Sequence, residues 1–278
     1  MKNLFLLILL ISLAGCDITK RKNFVVLIDN STSVPAPVIE RYISNIQETI
    51  LANMGEQDKL TVQFIDACSQ TRSERIYSFD LAEMVFTNKD DGINHQADSS
   101  QARLERYLHF VKGDIAKTIL AKRNERKGCG GYTDIINALN EAKSLVEQKK
   151  SLSIAEKTLN SAQGNDTVEY ETCVVIFSDM VNENKERTYS FTGFGKLNEE
   201  EVNAKVLQLK DQNKIPDLAG VKILVYGATS TKEAGAFAGK QIENVKIFWD
   251  LFFHSAGAEI KGYGYDTQLE LKKYLASI

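Results

Sequence analysis

A run of five apolar residues that stops at a carboxylate, Phe24-Val25-Val26-Leu27-Ile28-Asp29, constrains this chain more than any other stretch. No polar residue alternates through it, so the run offers no face to water. It predicts a strand buried on both sides, the kind that a parallel sheet between two helical layers requires. Asp29, Ser31 and Ser33 then follow at alternate positions. A turn that curls beyond the strand brings one carboxylate and two hydroxyls around a single point. Such an all-oxygen set suits a hard cation such as Mg²⁺; the same residue types also make turns and cap helices.

The rest of the chain repeats the pattern of buried strand and amphipathic helix. Val174-Val175-Ile176-Phe177-Ser178-Asp179 is a second apolar run ending in Asp. Gly130-Gly131-Tyr132-Thr133-Asp134 is a glycine-rich turn that delivers a hydroxyl before the helical run Ile135 to Val146. Leu60 to Ile65 and Val221 to Gly227 read as strands, Glu259 to Tyr265 as the last strand, and the more polar Arg75 to Phe79 as an edge strand. Apolar residues recur at helical spacing within Val38 to Met54, at Leu104, Leu108, Val111, Ile115, Ile119 and Leu120, and within Asn198 to Gln212. Ile242 to Ala256 reads as a helix whose Val245, Phe248, Trp249 and Phe252 face the core.

Strands alternating with helices predict an α/β fold with a mostly parallel central sheet and helices on both faces. At 278 residues and 43% hydrophobic content, one domain over 24–278 can bury a full core. Polar stretches around 80–127 and 148–170 read as insertions within it.

Asp-x-Ser-x-Ser after one strand, Gly-x-Thr before a helix and Ser-Asp after another strand, in that order, resemble the von Willebrand factor A domain with its metal-ion-dependent adhesion site. The resemblance runs from Phe24 to the C-terminus. It implies a three-layer Rossmann-like fold with the first and fourth strands side by side, where strand order reverses and open α/β sheets bind ligands. It implies that Ser31, Ser33 and Thr133 ligate Mg²⁺, or Mn²⁺, with Asp29 and Asp179 near the ion, directly or through water. The implied partner is a protein that supplies a carboxylate to the metal. Asp134 either orients a metal-bound water or caps the helix it starts.

The loop Val181 to Lys196, with Glu183, Arg187, Tyr189, Phe191 and Phe194, is the candidate partner-binding rim. In this fold Cys68 and Cys129 lie near one rim, which leaves open a disulfide or two separate thiols. Cys173, at the start of a strand, reads as a small core residue.

The first residues carry a different message. Lys2 precedes an apolar run from Leu4 to Ile11 that is too short to span a bilayer and suits the core of a signal peptide over 1–15. Leu13-Ala14-Gly15-Cys16 resembles a bacterial lipobox, with Cys16 the lipidated first residue of the mature chain and 16–23 a spacer. Acyl chains contribute ~0.8 kcal/mol per buried CH₂, so several of them hold a protein at a membrane without a transmembrane helix. The expected location is the bacterial cell envelope. Asp17 resembles a signal for retention at the periplasmic side of the inner membrane, with the outer membrane as the alternative.

Cleavage after residue 15 removes Lys2, the one charged group there, and takes the net charge from -3 to about -4. A mildly acidic protein has no general attraction for nucleic acid. The basic run Lys117, Lys122, Arg123, Arg126 and Lys127 reads as a solvated face near a helix C-terminus, with an anion-binding patch as the other reading.

These features predict a membrane-tethered binding module that uses a metal to recognise a protein, and not an enzyme. The alternatives are a metal-assisted hydrolase and a metal-free scaffold. A Ser-His-Asp hydrolase needs a histidine at the site, and His95, His109 and His254 all fall away from the expected strand ends.

Overall fold

The computed structural model describes residues 18–55, 58–69, 75–80, 100–147, 167–186, 188–228, 236–264 and 268–277. The apolar run centred on Leu27 lies inside strand β1 (Ile18–Asp29), which is paired on both edges. On one side it runs parallel to β2 (Lys59–Ile65), and on the other parallel to β4 (Thr167–Phe177). Parallel pairs β4 with β5 (Lys222–Tyr226) and β5 with β6 (Glu259–Gly264) extend the sheet one way. The short antiparallel β3 (Tyr77–Asp80) closes the other edge, as the polarity of that stretch predicts. The order is β3-β2-β1-β4-β5-β6, so the reversal of strand order falls between β1 and β4. The fold is thus α/β, built on a six-stranded, mostly parallel sheet.

Each central strand is apolar on both faces because each face meets its own layer of helices. Val25, Leu27, Val174, Ile176, Ile223 and Val225 share one core with the 135–147 helix (α3), α4 (Glu199–Asp211) and α5 (Ala236–Ser255). The alternate residues Phe24, Val26, Ile28, Val175, Phe177 and Leu224 enter a second core with α1 (Ala36–Asn45), α2 (Ser100–Glu125) and α6 (Gln268–Ala276). A period of two with no polar phase is what two cores require. Trp249, Phe248, Phe252 and Phe253 of α5 stack edge to face within the first core. Phe248, Trp249 and Phe252 are therefore core, as their spacing predicts, while Phe237 at the start of α5 is exposed, and Cys173 is a buried free thiol.

Several expectations are corrected in detail. The stretch expected as a spacer, 16–23, is already strand from Ile18, which pairs with Thr167 of β4. Lys22 is fixed there by its amide N–H donating to Asp58 (2.7 Å) and its ammonium to the Asn53 carbonyl. The single helix expected over Val38 to Met54 is α helix only to Asn45. It continues as a wide turn (Ile46–Ile50) and a 3-10 turn (Leu51–Asn53), a change of winding that leaves Ile46, Ile50 and Leu51 all buried.

The helical part of the expected 80–127 insertion, α2, buries Val111, Ile115 and Ile119 in the second core. Its Leu120 is exposed. Beyond β6 the chain adds α6, whose Leu271, Tyr274 and Leu275 are buried. The expected signal peptide with Cys16, the loop holding His95, and 148–166 lie outside the described residues. Among the described residues no helix is long and apolar enough to cross a membrane.

Candidate functional site

Because β1 and β4 are parallel neighbours, their carboxyl ends open on the same rim. Asp29 is the last residue of β1, and Asp179 stands two residues beyond β4. The chain after Asp29 turns at once, its carboxylate accepting the Ser31 N–H at 2.9 Å. That turn brings the hydroxyls of Ser31 and Ser33 to 2.8 Å from one another. The other Asp29 oxygen accepts the hydroxyl of Ser178 at 3.0 Å. Asp29 is only 1% exposed, while Ser33 is open to solvent.

The Thr133 turn is stitched to both of these segments. Thr32 N–H donates to the Gly130 carbonyl at 2.7 Å, and Glu183 N–H to the Thr133 carbonyl at 2.8 Å. Gly130 is tightly placed: a Cβ there would stand 3.0 Å from the Thr32 methyl and 3.3 Å from the Asn30 carbonyl, so a neighbour would have to give way. Glycine accommodates so close an approach without strain. On the other flank, Gly227 sits at φ +93, and a Cβ there would meet the Tyr42 hydroxyl at 2.8 Å and the Ser178 carbonyl at 3.1 Å. Three segments distant in sequence, 29–33, 130–135 and 178–183, are therefore locked together at the C-terminal lip of the sheet. Thr133 is buried there beside them.

The electrostatics mark the spot as crowded with negative charge. Burial, and next the nearby Asp179 carboxylate, push the Asp29 carboxyl up to about 6, even though bonds from Ser31 and Ser178 favour its ionised form. Burial first, then the charges of Asp29 and Asp179, push the Tyr42 phenol upward as well. Two carboxylates and a hydroxyl pair, buried at Asp29 and Ser31 and open to solvent at Ser33, make a set of hard oxygen donors. A divalent cation there would offset the cost of the buried charge, so the residues fit Mg²⁺ or Mn²⁺ chemically.

Asp134 resolves toward a cap. Its Oδ1 accepts the Asn137 N–H at 3.3 Å and its Oδ2 the Asn137 amide at 2.6 Å, fixing the first turn of α3. A second cap comes from Asn182, whose Oδ1 accepts the N–H groups of Ile135 and Ile136. Sequence reading assigned no role to Asn182 or to Ser178. The signal for Ser178 was its place in the Ser-Asp pair; for Asn182 there was none, because its partner lies 47 residues away. Met180 adopts φ 65, a left-handed conformation for a non-glycine residue. It is held there by its N–H to Ser178 Oγ and its carbonyl from Trp249 Nε1 at 2.8 Å.

The candidate partner-binding rim is corrected in part. Phe191 and Phe194 are each 1% exposed, and their rings lie 4.3 Å apart against Phe248 of α5. They are core because the apolar area of a buried ring outweighs anything it could gain facing water. Tyr189 is half-buried and bonded through its hydroxyl to Gln212, Glu183 stays half-exposed, and Arg187 lies outside the described residues.

The basic run is corrected too. Arg126 is 3% exposed and forms a two-pronged pair with Asp66 of β2's exit, Nε to Oδ2 at 3.0 Å and Nη2 to Oδ1 at 2.9 Å. Asp66 is 0% exposed and also accepts from the Asn30 side-chain amide and the Cys68 N–H. The sequence carried a signal here that went unread: Phe64-Ile65-Asp66 repeats the apolar-run-then-Asp pattern of Ile28-Asp29.

Cys68 and Cys129 are joined in a disulfide. Asp66 and the two sulfurs lie within 4.8 Å of one another, yet bonded sulfurs are not thiolate ligands and Asp66 is committed to Arg126, so this cluster is structural. His109 and His254 are exposed on α2 and α5.

No protein-family model and no curated protein matches the chain. Among solved structures it is similar to proximal thread matrix protein 1 from the mussel byssus, at 15% identity and a TM-score of 0.35, over 95% of this chain and 48% of that one. It is also similar to the pilus adhesin SpaC from Lactobacillus rhamnosus GG in its open conformation, at 11% identity and a TM-score of 0.38, over 94% of this chain and 30% of that one. The chain spans about half the length of the first and under a third of the second. Likenesses this distant add nothing to the chemistry of the site.

Proposed function

We propose that this chain is a membrane-tethered binding module that recognises a protein partner through a divalent cation held at the β1/β4 lip. Ser31, Ser33 and Thr133 would hold the ion, Mg²⁺ or Mn²⁺, with Asp29 and Asp179 beside it. The bound ion would supply an electrophilic point that a carboxylate of the partner can complete. The chain's own groups prepare that point. Ser178 and the Ser31 amide fix the Asp29 carboxylate, Gly130 lets the Thr133 turn close onto the Ser31 turn, and Asn182 ties the start of α3 to the segment after Asp179.

The observation that carries the reading is the Ser31–Ser33 hydroxyl pair at 2.8 Å, backed by the buried Asp29 where strand order reverses. The same reading assigns the sheet to the von Willebrand factor A type, in support of which β1 and β4 are neighbours, as the resemblance implies. It also places the domain in a bacterial envelope, tethered through Cys16.

The test is calorimetric titration of chelator-treated protein with Mg²⁺ and Mn²⁺, alongside Asp179→Ala. Saturable heat that the variant loses, with an unchanged circular dichroism spectrum, supports the reading. Absence of heat from the wild-type protein, with thermal stability unmoved by either ion, overturns it. Incorporation of a fatty-acid label that Cys16→Ala abolishes tests the tether.

A further inference from the structure

The fold divides the basic run at the end of α2, and what it leaves over lines a depression that adjoins the candidate cation site at Ser31. Arg126 is consumed by Asp66, and Lys122 pairs with Glu125 at 2.9 Å. Arg123 and Lys127 instead line an open depression of about 390 Å³ together with Asn124, Gly130 and the residues Asn30, Ser31 and Thr32. Ser31 belongs to both places: its hydroxyl meets Ser33 in the candidate cation site, and the residue forms part of the wall of the depression.

The two basic residues are held differently. Arg123 donates one N–H from Nη2 to the Val34 carbonyl at 2.7 Å, which positions the guanidinium while leaving donors to spare. Lys127 is exposed and has no ion pair among the described residues. Its backbone is steady, because it opens the 3-10 turn Lys127–Cys129 that ends at the disulfide. On a chain whose net charge is -3, two basic residues lining one depression next to a carboxylate-seeking site give it a local attraction for acidic groups that the chain as a whole lacks.

We propose that this depression is a second anchor for the partner. It takes the carboxylate of an Asp or Glu in the same protein segment whose other acidic side chain goes to the cation site. The inference rests on the cation-dependent reading above and specifies the partner further, as a segment with two acidic residues rather than one.

The test uses the full chain with saturating Mg²⁺ and fluorescein-labelled glycine-based peptides carrying either one Asp or two Asp at increasing spacing, read by anisotropy. At the matching spacing, the two-Asp peptide is expected to bind roughly three- to tenfold tighter, the range for one partly exposed charge-assisted pair. Lys127→Ala is expected to erase most of that margin while leaving the Mg²⁺ titration intact, and Lys127→Glu to reverse it. Arg123→Gln provides the second probe.

Equal affinity for the two peptide classes, or a margin that survives Lys127→Ala and Arg123→Gln, overturns the second anchor while Mg²⁺ heat keeps the cation site. If Mg²⁺ gives no heat, the underlying reading fails separately. Peptide binding then reports on the depression alone, supporting it when lost in Lys127→Ala and overturning it when indifferent. Displacement by inorganic phosphate at lower concentration than by unlabelled two-Asp peptide overturns the assignment to a protein segment.

Discussion

Replacing Asp29 by Asn should stabilise the cation-free protein at neutral pH while abolishing its response to Mg²⁺. A carboxyl whose value is raised on folding holds its proton more tightly in the folded chain. Stability therefore falls as pH rises from the unfolded value of 3.8 through about 6, and the full cost is present above that window. At ~1.4 kcal/mol per unit, the cost of ionising Asp29 in place is about 3 kcal/mol.

Asparagine avoids that cost but keeps only one acceptor oxygen for two donors, the Ser31 N–H and the Ser178 hydroxyl. The loss of one neutral bond takes back about 1 kcal/mol. The net gain is thus about 2 kcal/mol, which for a domain of this size raises Tm by roughly 4–8 °C. Thermal unfolding of both proteins in chelator, followed by circular dichroism across the window from 3.8 to about 6, isolates the effect, because titrating groups that do not interact with Asp29 cancel in the difference. Below the window the variant should be slightly less stable, above it clearly more.

Saturating Mg²⁺ should then reverse the ranking, since an ion at a hundredfold its Kd adds about 2.7 kcal/mol to the wild type alone. A difference between the two proteins that stays flat with pH refutes the account of Asp29 as a buried, charge-crowded carboxylate.

Three further outcomes follow from other contacts. Arg126→Ala strands Asp66 at 0% exposure; the cost should be about 3 kcal/mol by urea unfolding, at the lower end for a broken buried pair because Asn30 and Cys68 still donate to the carboxylate. Cys68→Ser with Cys129→Ser opens a loop of 61 residues. That should lower stability by ~4 kcal/mol and weaken Mg²⁺ binding, because the Thr133 turn loses its clamp; unchanged Mg²⁺ heat would separate the disulfide from the site. Trp249→Phe leaves the Met180 carbonyl without its donor and should cost about 1–3 kcal/mol. The single tryptophan should also report Mg²⁺ addition as a change in emission in the wild-type protein.

The strands and the positions of their terminal carboxylates were legible because hydrophobic period is a local property. Phe24 to Ile28 and Val174 to Phe177 carry no polar phase, and short β-branched runs of that kind suit a strand between two cores. The same logic reads Phe248, Trp249 and Phe252 as core from their spacing along one helix. Where an element's outcome depended on a distant partner, the local pattern fell short. Phe191 and Phe194 sit in a loop with the composition of a binding surface, yet α5, some fifty residues on, covers them. Arg126 belongs to a basic run whose other members stay partly or fully exposed, and only the approach of β2's exit turns it inward to Asp66. Residues 18–23 are polar enough to pass for a spacer until β4 pairs with them.

By itself, then, the sequence determined the buried strands, the alternation with helices and the oxygen-bearing residues available at their ends, because burial and periodicity are written residue by residue. The tertiary structure alone decided which oxygens meet, which aromatics are hidden and which cations stay exposed beside Ser31. Those outcomes arise from pairings between segments up to 149 residues apart, such as Ser178 with Asp29, and no local pattern encodes a distance of that kind.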